Sequence, residues 1–97
     1  MPTYITLMNL TDQGIRNIKD APKRTEAAIK AIEAAGGKVI GSYATMGQYD
    51  YVWIIEGPSD EAAMLQLLST GMKGNVRTTT LKAFTKEEFA EIIKKLP

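Results

Sequence analysis

The 97-residue sequence has no cysteine, no histidine, a single tryptophan and a net charge of only +1. Without Cys there is no disulfide framework, zinc–thiolate site, iron–sulfur cluster or thiol nucleophile, and without His no imidazole ligand for a metal or haem. Serine–histidine and cysteine–histidine catalysis fall with them. Lys+Arg 12 against Asp+Glu 11 leaves no clustered positive field, so neither nucleic acid nor an anionic membrane is an expected partner. No apolar run approaches the roughly 20 residues of a spanning helix. The opening Met1 to Leu10 alternates rather than joining a basic stretch to an apolar one, which is unlike a secretory signal, so a cytoplasmic location is expected. What is present is 44% hydrophobic residues and 24% charged, the balance of an ordinary globular chain. Residues 1–97 are expected to form a single domain, long enough to bury a core without metals or disulfides.

In Thr3 to Leu10 both parities are apolar, Ile5 and Leu7 on one and Tyr4, Met8 and Leu10 on the other, as in a central strand. Thr11 and Asp12 are suited to capping a short helical turn. Pro22 suits the first turn of a helix running to Ala35, and Gly36-Gly37 ends it. Lys38 to Met46 and Tyr49 to Gly57 read as a β-hairpin with Gly47-Gln48 in a type II′ turn. Ser59 caps a helix bearing Met64, Leu65, Leu67 and Leu68. Val76 to Phe84 reads as a strand, and Thr85 with Glu88 makes a capping box for a last helix bearing Phe89, Ile92, Ile93 and Leu96. The order β-α-β-β-α-β plus a helix predicts an α+β, ferredoxin-like sheet of four antiparallel strands, with both main helices on one face.

The turn at Gly47-Gln48 sets a register with Met46 opposite Tyr49, Ala44 opposite Tyr51, Ser42 opposite Trp53 and Ile40 opposite Ile55. Thr45 with Asp50, Tyr43 with Val52 and Gly41 with Ile54 lie on the other face. Gly41 beside Val52 and Ile54 gives an Ala-rich helix room to approach, so that second face is expected under the helices, with Tyr43 packed there. The face of Ser42, Ala44, Met46, Tyr49, Tyr51 and Trp53 is then left for a second subunit. A homodimer, or a multiple of dimers, joined sheet to sheet is the expected remedy for so much apolar surface.

The segment Tyr43-Ala44-Thr45-Met46-Gly47-Gln48-Tyr49-Asp50 resembles the motif that names the GYD-domain proteins. Thr11 to Ile18, Gly74 to Thr78 and Ala83 to Phe89 are similar to further patterns of that family, in the same order. The resemblance spans nearly the whole chain. It implies a ferredoxin-like fold, a dimeric α/β-barrel and a bacterial or archaeal distribution, and it leaves the activity open. Ala44 departs from the pattern, which implies a second aromatic after Tyr43. If that position lines a cavity, the cavity here is wider or differently shaped.

Chemistry is thinly marked. Tyr49 and Asp50 are neighbours on a strand and point to opposite faces, so Asp50 is expected to accept hydrogen bonds from backbone amides, with Tyr43 and Gly47 as structural companions. Tyr49, Tyr51 and Trp53 are candidates for stacking a planar organic ligand, although Tyr and Trp are enriched at protein interfaces in any case. Arg77 is the candidate anion contact, and the hydroxyls of Thr78 to Thr80 follow it. Gly71-Met72-Lys73-Gly74 lacks the spacing of a phosphate loop, and the carboxylates show no metal-like spacing. The leading expectation is a small oligomeric module that binds a ligand or partner without a cofactor. The alternative is a cofactor-independent monooxygenase or isomerase acting on a planar, enolisable compound, with the aromatic trio as walls and Arg77 as anion stabiliser.

Overall fold

The computed structural model describes Met1–Pro97. The elements are β1 (Thr3–Leu10), α1 (Asp12–Arg16), a 3-10 turn (Ile18–Asp20), α2 (Ala21–Ala34), β2 (Lys38–Ala44), β3 (Tyr51–Glu56), α3 (Asp60–Met72), β4 (Val76–Ala83) and α4 (Lys86–Ile93). The strands form one antiparallel sheet in the order β2-β3-β1-β4, with β1 and β3 central. This is the ferredoxin-like α+β arrangement that the element order predicts.

Local chemistry accounts for the boundaries. Thr11 accepts the Gly14 amide at 3.0 Å and starts α1. Pro22 occupies the first turn of α2, and Gly36, at φ +90°, takes the chain out of it in a conformation that side chains resist. Ser59 caps α3 through the Ala62 amide at 3.1 Å. At α4 both arms of the capping box form, Glu88 accepting the Thr85 amide at 2.8 Å and Thr85 accepting the Glu88 amide at 3.1 Å.

The hairpin register holds for Ser42 with Trp53, Ala44 with Tyr51, Tyr43 with Val52 and Gly41 with Ile54. Ladder pairing stops earlier than expected, at Ala44 with Tyr51, and Thr45 continues the register by donating its amide to the Asp50 carbonyl at 2.9 Å. Met46 to Tyr49 form a loop, exposed at Met46, Gly47 and Gln48 and half-buried at Tyr49, with Gly47 at φ +121°. An irregularity between Val39 and Gly41 displaces Ile40, so Val39 rather than Ile40 faces Ile55.

Which face meets the helices is the reverse of the expectation. Trp53, only 6% exposed, packs with Met8 of β1 and Ile32 of α2, and Tyr51, Val39, Ile55 and Ala28 surround that cluster. Tyr4, Thr6 and Met8 of β1 share that side, and so do Val76, Thr78 and Thr80 of β4. The open face carries Ile5 and Leu7 of β1, Val52 and Ile54 of β3, Tyr43 of β2, and Arg77 and Leu81 of β4. Gly41 does not admit a helix. A Cβ there would lie 2.8 Å from Cε2 of Tyr43, so the vacancy accommodates the Tyr43 ring, which stays 59% exposed on the open side.

The molecule is open for its size. It exposes 6905 Å², against about 5,500 Å² for a folded monomer of this mass. Its extents are 53 × 30 × 18 Å and its radius of gyration 14.7 Å, where about 12.5 Å is usual for this length. Every residue from Phe84 to Pro97 is exposed, including the apolar Phe89, Ile92, Ile93 and Leu96 of α4. No helix is long and apolar enough to cross a membrane.

Candidate functional site

The residues that bind the fold at the exit of β1 come from three separated segments. Asp50 accepts the Leu10 amide at 2.8 Å and donates its own amide to the Met8 carbonyl at 2.9 Å. Thr11 donates its hydroxyl to the Gly74 carbonyl and its amide to the Asn75 carbonyl. Gln13 Nε2 donates to the Lys73 carbonyl at 2.9 Å and to Asn75 Oδ1 at 3.0 Å. Gly14 is buried against this joint, where a Cβ would lie 2.0 Å from the Asn75 carbonyl oxygen. The segments around Thr11, Asp50 and Gly74, distant in sequence, therefore meet at one end of the sheet.

Beside that joint lies the most developed concavity. Helix α2 packs over β2 and α3 over β4, so the central strands form the floor of a groove between them. The groove encloses about 180 Å³. Trp53, Tyr51 and Met8 line its floor, Ala28 and Ile32 one wall and Leu67 the other. The small side chains of α2 leave the depth that Trp53 occupies. Thr25, Thr70, Asn75 and Thr78 add polar atoms, and the charged residues in the lining are Arg24 and Lys73. Sequence reasoning missed both cations, because Arg24 lies in the first turn of α2 and Lys73 just past the end of α3, and only the packed fold brings the two to one groove.

At the opposite end of the sheet Tyr4 donates its hydroxyl to Asp60 at the start of α3, and Lys82 approaches the other oxygen of that carboxylate at 3.1 Å. The hydrogen bond to Asp60, then burial, pushes the Tyr4 phenol up to about 12. The same bond, with help from Lys82, holds the exposed Asp60 carboxyl below its ordinary range. These groups anchor α3 to β1 and β4. No group of three His, Cys, Asp or Glu side chains gathers anywhere in the chain.

The residues singled out from sequence are thus dispersed. Tyr51 and Trp53 line the groove, on the helix side. Ser42 and Ala44 share that side but lie exposed on the edge strand, and the hairpin loop holds Met46, exposed, and Tyr49, half-buried. Arg77 pairs in register with Asn9 on the open face. The sheet itself separates Arg77 from Trp53, so the two do not line one cavity, and the arrangement of aromatic walls with an Arg77 clamp does not exist in the chain.

The profile of the GYD domain matches residues 4–93. The chain belongs to the GYD-domain family. Among its relatives is the "Glutamine synthetase and cystathionine beta-lyase binding protein" of Thermus thermophilus, 33% identical over 84 residues that span 86% of this chain and 88% of the relative. The matched span of the GYD domain takes in the Asp50 and Gly74 joints, the groove and the whole of α4.

Proposed function

We propose that this GYD domain is a cytoplasmic interaction module that self-associates through its open sheet face and docks on a larger protein. The carrying observation is the apolar surface left on three separate elements. On the sheet these are Ile5, Leu7, Val52 and Ile54 with the exposed Tyr43 and Leu81. On α3 they are Met64, Leu65, Leu68 and Met72, with Leu65 71% exposed. On α4 they are Phe89, Ile92, Ile93 and Leu96. The surface in excess of a usual monomer is about 1,400 Å², more than the roughly 800 Å² that each partner gives to a standard interface.

A second copy is the fitting occupant of the sheet face, because a two-fold axis lets one flat apolar surface cover its equal. Helix α4 has eight residues, and isolated helices shorter than about 12 residues are marginal in water. It therefore draws its support from the neighbouring copy. The α3 stripe is then left for a different protein. The relative's name supports an enzyme as that protein, with glutamine synthetase and cystathionine β-lyase the first to try.

The test uses both purified enzymes from the same source organism, immobilised and probed with the chain and with a Leu65→Glu, Leu68→Glu variant. The wild type is expected to bind at least one enzyme and the variant neither, both remaining the same oligomer. Equal binding by the variant would remove the α3 stripe as the docking surface. Binding to neither enzyme by the wild type would remove these partners.

A further inference from the structure

The groove between α2 and α3 is formed within one chain and lies on the opposite face of the sheet from the proposed self-association surface, so it carries an inference of its own. Its volume is about 180 Å³, and an apolar cavity of about 150 Å³ takes up benzene. The floor and walls of Trp53, Tyr51, Met8, Ile32 and Leu67 suit a single planar ring rather than a string of waters.

The charge at the groove is one-sided. Arg24 and Lys73 line it and no carboxylate does. The ion pairs of the chain are Lys82 with Asp60 and Lys94 with Glu91, so neither groove cation is within ion-pair distance of an acid. Arg24 spends one N–H on the Asn17 carbonyl at 2.9 Å, and a guanidinium has five. Both cations lie towards the β1 exit, Arg24 through its bond to Asn17 and Lys73 just before the start of β4, which pairs with Leu10. The first residue of α2, Ala21, lines the same groove, and the positive end of that helix dipole adds to the field. The hydroxyls of Thr25 and Thr70 and the Asn75 amide supply further donors.

From this combination we infer that the groove binds a small organic carboxylate with one ring or a comparably compact apolar body, the ring over Trp53 and the carboxylate between Arg24 and Lys73. Cations without acid partners beside an apolar slot recognise such an anion and disfavour its neutral counterpart.

Trp53 is the chain's one tryptophan, so its indole N–H resonance in a ¹H–¹⁵N correlation spectrum of the full chain reports on the groove directly. The probes are benzoate, its neutral counterpart benzamide, and acetate, which keeps the charge without the ring. Benzoate is expected to shift the indole resonance saturably, benzamide to bind roughly fivefold more weakly, and acetate to leave the resonance in place. In an Arg24→Gln, Lys73→Gln variant benzoate should weaken to the benzamide level, with benzamide itself unchanged. Equal affinity for benzoate and benzamide in the wild type would overturn the anionic class. No saturable shift with either ring at millimolar concentration would overturn the site, including the case in which another copy's side chains fill the groove. The groove lies on the opposite face of the sheet from the proposed self-association surface and the readout does not involve enzyme docking, so failure of either proposal leaves the other standing.

Discussion

Gly14 and Tyr4 show how much of this small fold rests on single side chains, or on their absence. At Gly14 any Cβ meets the Asn75 carbonyl oxygen at 2.0 Å, and the bonds from Thr11 and Gln13 to the Lys73–Asn75 backbone leave that carbonyl little room to retreat. Gly14→Ala is expected to cost about 2 kcal/mol or more in urea unfolding. A change within a few tenths would show that the joint yields. At Tyr4 the phenol is pushed up from 10.0 to about 12 by its bond to Asp60. The proton is held more tightly folded than unfolded, so this contribution is complete below pH 10.0 and is lost as pH rises through about 12. Asp60 is shifted the other way, from 3.8 downwards, so its contribution is present above that value and is lost as pH falls below it. Tyr4→Phe should flatten the alkaline limb of a stability–pH curve and shrink the acid one. A variant curve parallel to wild type at both ends would contradict the pairing.

Among the elements, α4 is the one whose local chemistry and surroundings diverge. Its capping box is complete, and the Thr85 amide and hydroxyl hold the Glu88 carboxyl below its ordinary 4.5. The cap is present above that pH and weakens as pH falls through the folded value. Thr85→Ala should remove about 1 kcal/mol of helix stability, read as faster amide exchange over Lys86–Ile93. An unchanged exchange rate would mean that the cap does not hold the helix. Caps of this kind were legible in the sequence, as were every strand and the middle of the hairpin register from Gly41 to Ala44, because Thr85 with Glu88, Ser59 and the turn around Gly47 act locally; the irregularity that displaces Ile40 and the open turn at Met46 to Tyr49 were not. The side of the sheet on which the helices lie was not legible. Both parities of β1 and β3 are apolar, so alternation does not choose between Trp53 with Tyr51 and Val52 with Ile54. Gly41 pointed to the wrong side, since its space is taken by Tyr43 two residues along the same strand. The useful signal was volume: Ala28, packed against the Trp53 cluster, keeps α2 slender where it crosses the sheet, and a slender helix leaves room for the largest sheet side chain beneath it. The groove cations were hidden for a related reason, since Arg24 and Lys73 are brought to one cavity only by the fold.

At the scale of the whole molecule, seven residues are buried and sixteen large hydrophobic ones are exposed, an imbalance that supports the proposed self-association. A charge placed in a dry interface lacks a partner, so Val52→Asp on the open sheet face is expected to break the assembly while leaving the Trp53 side folded. Removal of residues 85–97 should weaken the same assembly without abolishing it, because the sheet face remains. Retention of the full assembly by the Val52→Asp chain would assign the contact to α3 or α4 instead. The most direct test of self-association is native mass spectrometry of the 97-residue chain at micromolar concentration. An even multiple of the 10.6 kDa subunit is the predicted result, and a monomer at that concentration would contradict it.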